Sequence, residues 1–440
     1  MIRYYAWLGA RSLRRNPVLT ALMVTAIALG IGAFMTLYSV FHLMSADPIP
    51  WKSEQLHIVR LDNWEADGGW GDSASGESVP PDQLTWRDAR ALMQARQAPL
   101  QTMMFQIALA VQPENAAIKP FNETGRMTYA DFFPMFEPPF LFGSGWDRGA
   151  DEARERVVVL SKAVNEKVFA GENSVGRSIR LGESNYRVIG VLDSWHPAPK
   201  YYDLTTGGFE DPEGFYLPLT INDDLRLRPN GNTNCFKAAD DPSFDTFLTS
   251  ECVWTQFWVQ LDSAAERERY LDFLNAYVTE QKALGRFPRA LGNRVTPVLE
   301  WLQLRKVVGD DVPISLGIAS AFLLVCLLNS VGLMLAKFLG RAGEIGVRRA
   351  LGASRGQVFA QFLFEAAAIG VAGGVLGLGV AWLGLAGVRA LLPDSPMAAS
   401  LDPQLIGIAV LLSMTASVLA GLFPTWRACQ IAPAAQLKSN

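Results

Sequence analysis

Few residues of this chain have the types and spacing to do chemistry, and most of those that do would position other groups. The three histidines, His42, His57 and His196, stand too far apart for a metal-ligand pattern. His196 with Cys235 and Cys252 is the nearest thing to a zinc set, and it lacks the usual ligand spacing. No G-x-x-x-x-G-K-[ST] is present, so that route to cradling a nucleotide is closed. Gly352-Ala-Ser-Arg-Gly356 is glycine-rich but lacks the lysine and a preceding strand, and it reads as a joint between helices. The expectation is therefore a non-catalytic chain that binds no metal or cofactor of its own.

Three other constellations carry more meaning. Glu344 and Arg348 stand at i,i+4 in the favourable acid-first order. Gly352 is placed to end their helix, and Ser354-x-x-Gln357 is a capping-box start for the next. Gly370, Gly373, Gly374 and Gly377 form two overlapping small-xxx-small pairs, the pattern that lets membrane helices approach closely. This face is expected to pack on another span of the same subunit, leaving the first two spans to line a dimer interface. Cys235 and Cys252 flank an acidic stretch with few core residues. A disulfide here would staple a surface loop, and two buried free thiols are the alternative.

The elements that must hold these residues follow from composition. Half the residues are hydrophobic and only 19% are charged, against about 25% in a typical soluble protein. The mean hydropathy of +0.14 is far below that of a chain lying wholly in lipid. Four windows, 16–46, 312–336, 366–388 and 403–426, contain no Asp, Glu, Lys or Arg. Each exceeds the ~20 residues that span ~30 Å of hydrocarbon. They predict membrane helices over 18–44, 314–335, 366–388 and 405–424. The apolar run of the first is too long for a cleaved signal peptide.

Charge sorts the remainder into two compartments. Residues 45–313 hold 27 Lys+Arg against 39 Asp+Glu, a net of −12, whereas the rest of the chain carries +8. Arg3, Arg11, Arg14, Arg15, Lys337, Arg341, Arg348, Arg349, Arg355, Arg427 and Lys438 fall on alternate segments, so the positive-inside rule places both termini and the 336–365 loop in the cytoplasm. Asp240 then lies outside with the acidic segment. Cys326 falls in the second span and Cys429 on the cytoplasmic side, while Cys235 and Cys252 face an oxidising space. An overall charge of −4 and a pI near 5.6 give no support to a nucleic-acid binder.

The outer segment 45–313 is predicted to be α+β. Residues 56–61, 157–160 and 186–192 read as strands, and 84–94, 162–169 and 264–284 as helices. Residues 196–251 are rich in Asp, Gly, Pro and Asn and are expected to be an insertion of loops. The fold class is thus a membrane α-helical protein of four transmembrane helices, with a large α+β extracytoplasmic domain between the first and second. A cytoplasmic amphipathic lead-in helix over 1–17, a short outer loop over 389–404 and a cytoplasmic tail over 425–440 complete it.

Arg341-x-x-Glu344-Ile-Gly-x-Arg348-Arg349-Ala-Leu-Gly352-Ala-Ser resembles the signature loop of FtsX-like permeases of ATP-binding-cassette (ABC) systems. Phe423-Pro-Thr-Trp-Arg427 through Pro433 to Leu437 is similar to their closing motif, and Leu13-Arg-Arg-Asn-Pro17 to their approach to the first span. Val157-Val-Val-Leu-Ser161, Val175-Gly176-Arg-Ser-Ile179 and Val188-Ile-Gly190-Val191 resemble the periplasmic core of macrolide-exporter (MacB) permeases. The resemblance implies a mechanotransmission permease of a bacterial inner membrane, paired with a second permease, identical or homologous. ATP and Mg would sit on an ATPase expected to be another chain. Arg341, Glu344, Ile345, Val347, Arg348, Arg349 and Gly352 would form the coupling helix docked on that ATPase. Closure of the ATPase dimer would rock the first two spans and move the outer domain. An amphiphile or peptide would pass to a periplasmic adaptor and an outer-membrane channel. Lipoprotein extraction and a non-transporting signal relay, in antimicrobial-peptide sensing or cell-wall hydrolase activation, are the alternatives.

Overall fold

The charge-poor windows become four helices in the structure, a computed structural model that describes residues 16–66, 70, 79–115, 117–237, 241–391 and 403–430. The spans are Pro17–Ser45, Asp311–Leu339, Arg355–Leu391 and Pro403–Gln430. Each contains a stretch long and apolar enough to cross a membrane. Pro17 opens the first at the position where a missing N–H costs nothing. The third begins eleven residues before the predicted 366, because Arg355–Glu365 continues the same helix through polar residues. Most of the lead-in segment, Asp240, most of the 389–404 loop and the tail beyond 430 lie outside the described residues, as does the side chain of Cys429.

The chain forms two compact units, residues 1–45 with 308–440, and residues 46–307. In the helical unit the first span buries Met23, Ile27, Ile31 and Met35, spaced one turn apart, against the other spans. Its far face leaves Val18, Leu22 and Leu29 exposed. An apolar residue on the outside is the expected pattern for a helix whose solvent is lipid.

The second unit is built on strands β1 (Leu56–Arg60), β2 (Leu84–Thr85), β3 (Leu100–Gln112), β4 (Phe121–Thr128), β5 (Phe140–Gly143), β6 (Val157–Leu160), β7 (Ser178–Leu181), β8 (Ser184–Leu192), β9 (Phe215–Pro218), β10 (Val253–Gln260) and β11 (Arg294–Pro297). Their order is β11-β1-β10-β3-β4-β9-β6-β8-β5, with β2 beside β10 and β7 between β3 and β8. The β4–β9 and β6–β8 pairs are parallel and the others antiparallel. Strand β3 is long enough to pair β10 through its first residues and β4 through its last, so it joins the two halves of the sheet. Both faces are covered. Val158 and Leu160 enter one core with Trp254 and Phe257, whereas Val157 and Val159 enter the other with Trp258 and Trp301. This period-2 division is why these strands read as continuous apolar runs.

Residues 196–251, expected to be loops, contain regular structure. They contain β9, which sits between β4 and β6, and Lys200, Tyr201, Tyr202, Asp203, Glu213, Phe215 and Tyr216 are all buried. Loop-like composition on either side of two short aromatic runs hid a strand of the core.

Candidate coupling site and buried charge centres

The predicted joint between helices has the expected local form. Residues Ala342–Ala350 are helical, and Gly352 takes φ +101°, which a side chain would resist. Its N–H donates to the Arg349 carbonyl (3.2 Å) and that of Ala353 to the Arg348 carbonyl (3.0 Å), a Schellman ending. Ser354 Oγ then accepts from the Gln357 N–H (3.2 Å), while Gln357 Oε1 accepts from the Ser354 N–H (3.0 Å). Gly352–Gly356 also has the G-x-S-x-G spacing of a nucleophile elbow. An elbow joins a strand to a helix, however, and here both neighbours are helices and the serine is a cap.

Glu344 Oε1 accepts from Arg348 Nη2 at 2.9 Å, and Arg348 Nη1 donates to Gln361 Oε1 at 2.7 Å, tying the short helix to the third span. Ile345, expected to face a partner, instead packs inward with Phe338, Val358 and Phe362 and is 5% exposed. The face turned outward is Val347 and, one turn on, Leu351, which are 53% and 83% exposed. Arg349 is half-buried. The amphipathic helix therefore puts its inner apolar side on its own spans and keeps a smaller outer one free.

Arg341 is likewise turned inward. Its Nη1 donates to Glu365 Oε2 at 3.0 Å, and Lys337 Nζ reaches Glu365 Oε1 at 2.7 Å and Thr20 Oγ1 of the first span at 3.1 Å. Lys337 and Glu365 have side-chain exposures of 0% and 1%. From the sequence Lys337 counts only as one of the cytoplasmic basic residues, and nothing in its spacing pairs it with Glu365. Glu365 is the acid just before the charge-free window 366–388.

The glycines of the third span divide between two neighbours. A Cβ at Gly373 would lie 2.6 Å from Ile27 Cγ2, and one at Gly377 would lie 3.2 Å from Ile31, both on the first span. At Gly370 and Gly374 the obstacles are Ser417 and Ser413 of the fourth, at 2.5 and 2.6 Å. Ser413 Oγ also donates to the Gly370 carbonyl. The two overlapping pairs thus serve two seams, one on each side of a single helix.

In the second unit Cys235 and Cys252 form a disulfide, and Cys326 is a buried free thiol of the helical unit. Beside the bond, Asn234 and Val253 exchange both backbone hydrogen bonds, so the loop is closed twice. A further centre was not foreseen. Arg126 of β4 donates through Nη2 to Asp203 Oδ2 (2.7 Å) and to Glu213, and Lys200 Nζ lies 3.6 Å from Glu213 Oε1. All four side chains are fully buried. Burial alone would raise the Glu213 pKa, but the Arg126 and Lys200 charges outweigh it and hold it at about 2. Tyr202 Oη donates to Glu213 and Gln256 Nε2 to Asp203 (3.0 and 2.9 Å). Two positive and two negative groups thus lock residues 200–213 onto the sheet. Among the described residues no cluster of His, Cys, Asp or Glu is placed to hold a metal ion.

Two family models match this arrangement. The MacB-like periplasmic core domain matches residues 20–272, and the FtsX-like permease C-terminal domain matches residues 316–433. The chain belongs to the MacB/FtsX-type permeases of ABC transporters. It is 25% identical to the uncharacterized ABC transporter permease YvrN of Bacillus subtilis, over 70% of this chain and 68% of that protein. It is 26% identical to the macrolide export ATP-binding/permease protein MacB of Rhodopirellula baltica (67% of this chain, 43% of that protein). The pyoverdine export ATP-binding/permease protein PvdT of Pseudomonas aeruginosa is also 26% identical (76% and 47%). The chain thus spans about half the length of these MacB and PvdT relatives. The crystal structure of the periplasmic region of MacB from Actinobacillus actinomycetemcomitans aligns with 60% of this chain and 96% of that one, at 13% identity and a TM-score of 0.37. Within the MacB/FtsX-type permease, the core-domain match takes in both disulfide cysteines, the Arg126 centre and Ile27 and Ile31 of the first seam, and the C-terminal match takes in the short helix and the four glycines.

Proposed function

We propose that this chain is the membrane subunit of an ATP-driven export complex and that it passes the motion of a partner ATPase to its outer domain. The observation that carries the reading is the outward pair Val347 and Leu351 on a helix whose other side is fixed by Ile345 and by the Glu344–Arg348–Gln361 chain. An exposed apolar pair on a braced helix is what a groove on a partner would take. The charge asymmetry supports a cytoplasmic position for this helix and an outer position for residues 46–307. Export is favoured over lipoprotein extraction or signalling because two relatives carry export in their names. A second permease copy, an adaptor and an outer-membrane channel belong to the same proposal, with an amphiphile or peptide as cargo.

Leu351→Glu, alone and with Glu344→Lys, tests it in cells that co-produce the cognate ATPase. Leu351 is 83% exposed, so Leu351→Glu should fold and reach the membrane, while Glu344→Lys also breaks the half-buried Glu344–Arg348 pair that braces the helix. They should lose the ATPase on co-purification, or keep it with ATP hydrolysis no longer answering to the permease. Normal assembly and transport in both variants would reduce the helix to a topological loop.

A further inference from the structure

We propose that Arg341 holds a phosphate oxyanion, from a lipid headgroup or from free phosphate, in the cavity between the short helix and the start of the third span. The guanidinium meets Glu365 through Nη1 alone. Its other edge, formed by Nε and Nη2, is buried and has no hydrogen-bond partner among the described residues, and the side chain is 10% exposed. Those two N–H groups point the same way and form the fork that fits two oxygens of a carboxylate or phosphate. A buried charged donor pair without an acceptor is costly, and native structures seldom leave one empty.

The surrounding charge agrees. Among the described residues Lys337, Arg341 and Arg348 face Glu344 and Glu365, three positive groups against two negative ones. The cavity is lined by Arg341, Arg348 and Gln361, by Glu344, whose carboxylate is already engaged by Arg348 at 2.9 Å, and by Ile345, Val358 and Phe362. Its inner space of about 20 Å³ is open to the surface and takes one oxygen-sized group, so one oxygen on the fork would enter and the second would sit at the mouth. Basic recesses at the ends of membrane helices are where anionic headgroups dock, and an apolar wall beside the fork suits the glycerol end of such a lipid. A carboxylate of the ATPase is less well served, because Arg341 and Ile345 turn inward while Val347 and Leu351 turn out.

The full chain in neutral detergent provides the test. Thermal midpoints are measured against rising dioctanoyl-phosphatidylglycerol, inorganic phosphate and dioctanoylglycerol, which has the same chains and no phosphate. A saturable upward shift with the phosphatidylglycerol alone supports the proposal and assigns the lipid source. An equal shift with inorganic phosphate supports it and assigns free phosphate. Arg341→Lys keeps an ion pair with Glu365 but removes the fork, and should weaken the apparent affinity by about tenfold or more. Equal response of wild type and variant overturns the proposal, as does no response to either phosphate compound, which would leave water in the cavity. If the variant fails to fold, the wild type decides, since a matching shift with dioctanoylglycerol would show that phosphate is irrelevant. Protection by the ATPase alone would assign the fork to a protein carboxylate and also overturn it.

Discussion

The two units bury charge by different rules. In the outer unit the two cations Arg126 and Lys200 meet the two anions Asp203 and Glu213, beside the core of Trp258, Trp301 and the paired tyrosines. In the helical unit Lys337 and Arg341 share Glu365, and the seams nearby are made by glycine and serine. Water drives the first assembly, so large apolar side chains can do the work and any charge taken inside must be neutralised on the spot. Lipid offers no such drive between helices, so close approach and polar contacts hold the second together. The contrast teaches that, among the described residues, one carboxylate shared by two cations is tolerable at the end of an apolar span, where Thr20 is within reach, whereas the outer core matches two cations with two anions.

The largest expected effect is in the outer unit. Arg126→Met leaves Asp203 and Glu213 facing each other with only Lys200, and should destabilise that unit by about 3–5 kcal/mol. Urea unfolding followed by tryptophan fluorescence measures it, and a loss below about 1 kcal/mol would erase the contrast. Next comes the first seam of the helical unit. Gly373→Leu places atoms where Ile27 already stands and should cost about 1–3 kcal/mol through overpacking. Gly379→Leu, on the same helix with nothing within 4 Å, should be neutral in the same thermal assay in nanodiscs. Equal losses would mean that helix propensity, not the seam, is being measured.

The change per pH unit is the smallest, and it sharpens the rule. Asp151 accepts from the Ala130 N–H (2.8 Å) and the Trp146 indole (2.9 Å), yet burial pushes its pKa from 3.8 up to about 7. The folded unit therefore binds this proton more tightly than the unfolded chain does. Its contribution is fully present below 3.8 and is lost as pH rises through about 7. Wild type should lose roughly 1 kcal/mol per pH unit across that window relative to Asp151→Asn, which cannot titrate. Parallel stability curves for the two proteins would show that no unpaired carboxylate is being charged there.

The spans were legible because lipid imposes one criterion, an uninterrupted run without charge, and 18–44 and 314–335 lie within the observed helices. Strands β1, β6 and β8 were legible for a similar reason, as short β-branched runs beside turns. The hairpin β3–β4 was missed because Gln101, Gln106 and Asn122 interrupt its apolar residues, and its register depends on partners far away in sequence. Glu344, Arg348, Gly352 and Ser354 could be placed by spacing alone, since a helix and its caps are local. Which face of that helix looks outward could not, because it depends on Phe338, Val358 and Phe362 from other helices. The Lys337–Glu365 and Arg126–Glu213 contacts join residues 28 or more positions apart and leave no periodic trace.

The neighbours of β1 set a clock. This strand ends at Arg60, yet both its partners, β10 and β11, lie beyond residue 252. At roughly 5–20 residues per second, synthesis leaves it waiting on the order of 10–40 s before either exists. Within about fifteen residues of β11 the second span begins, so the sheet can close only as the next hydrophobic helix is being delivered. Folding of the outer unit and insertion of the second span thus fall at nearly the same moment in the life of the chain.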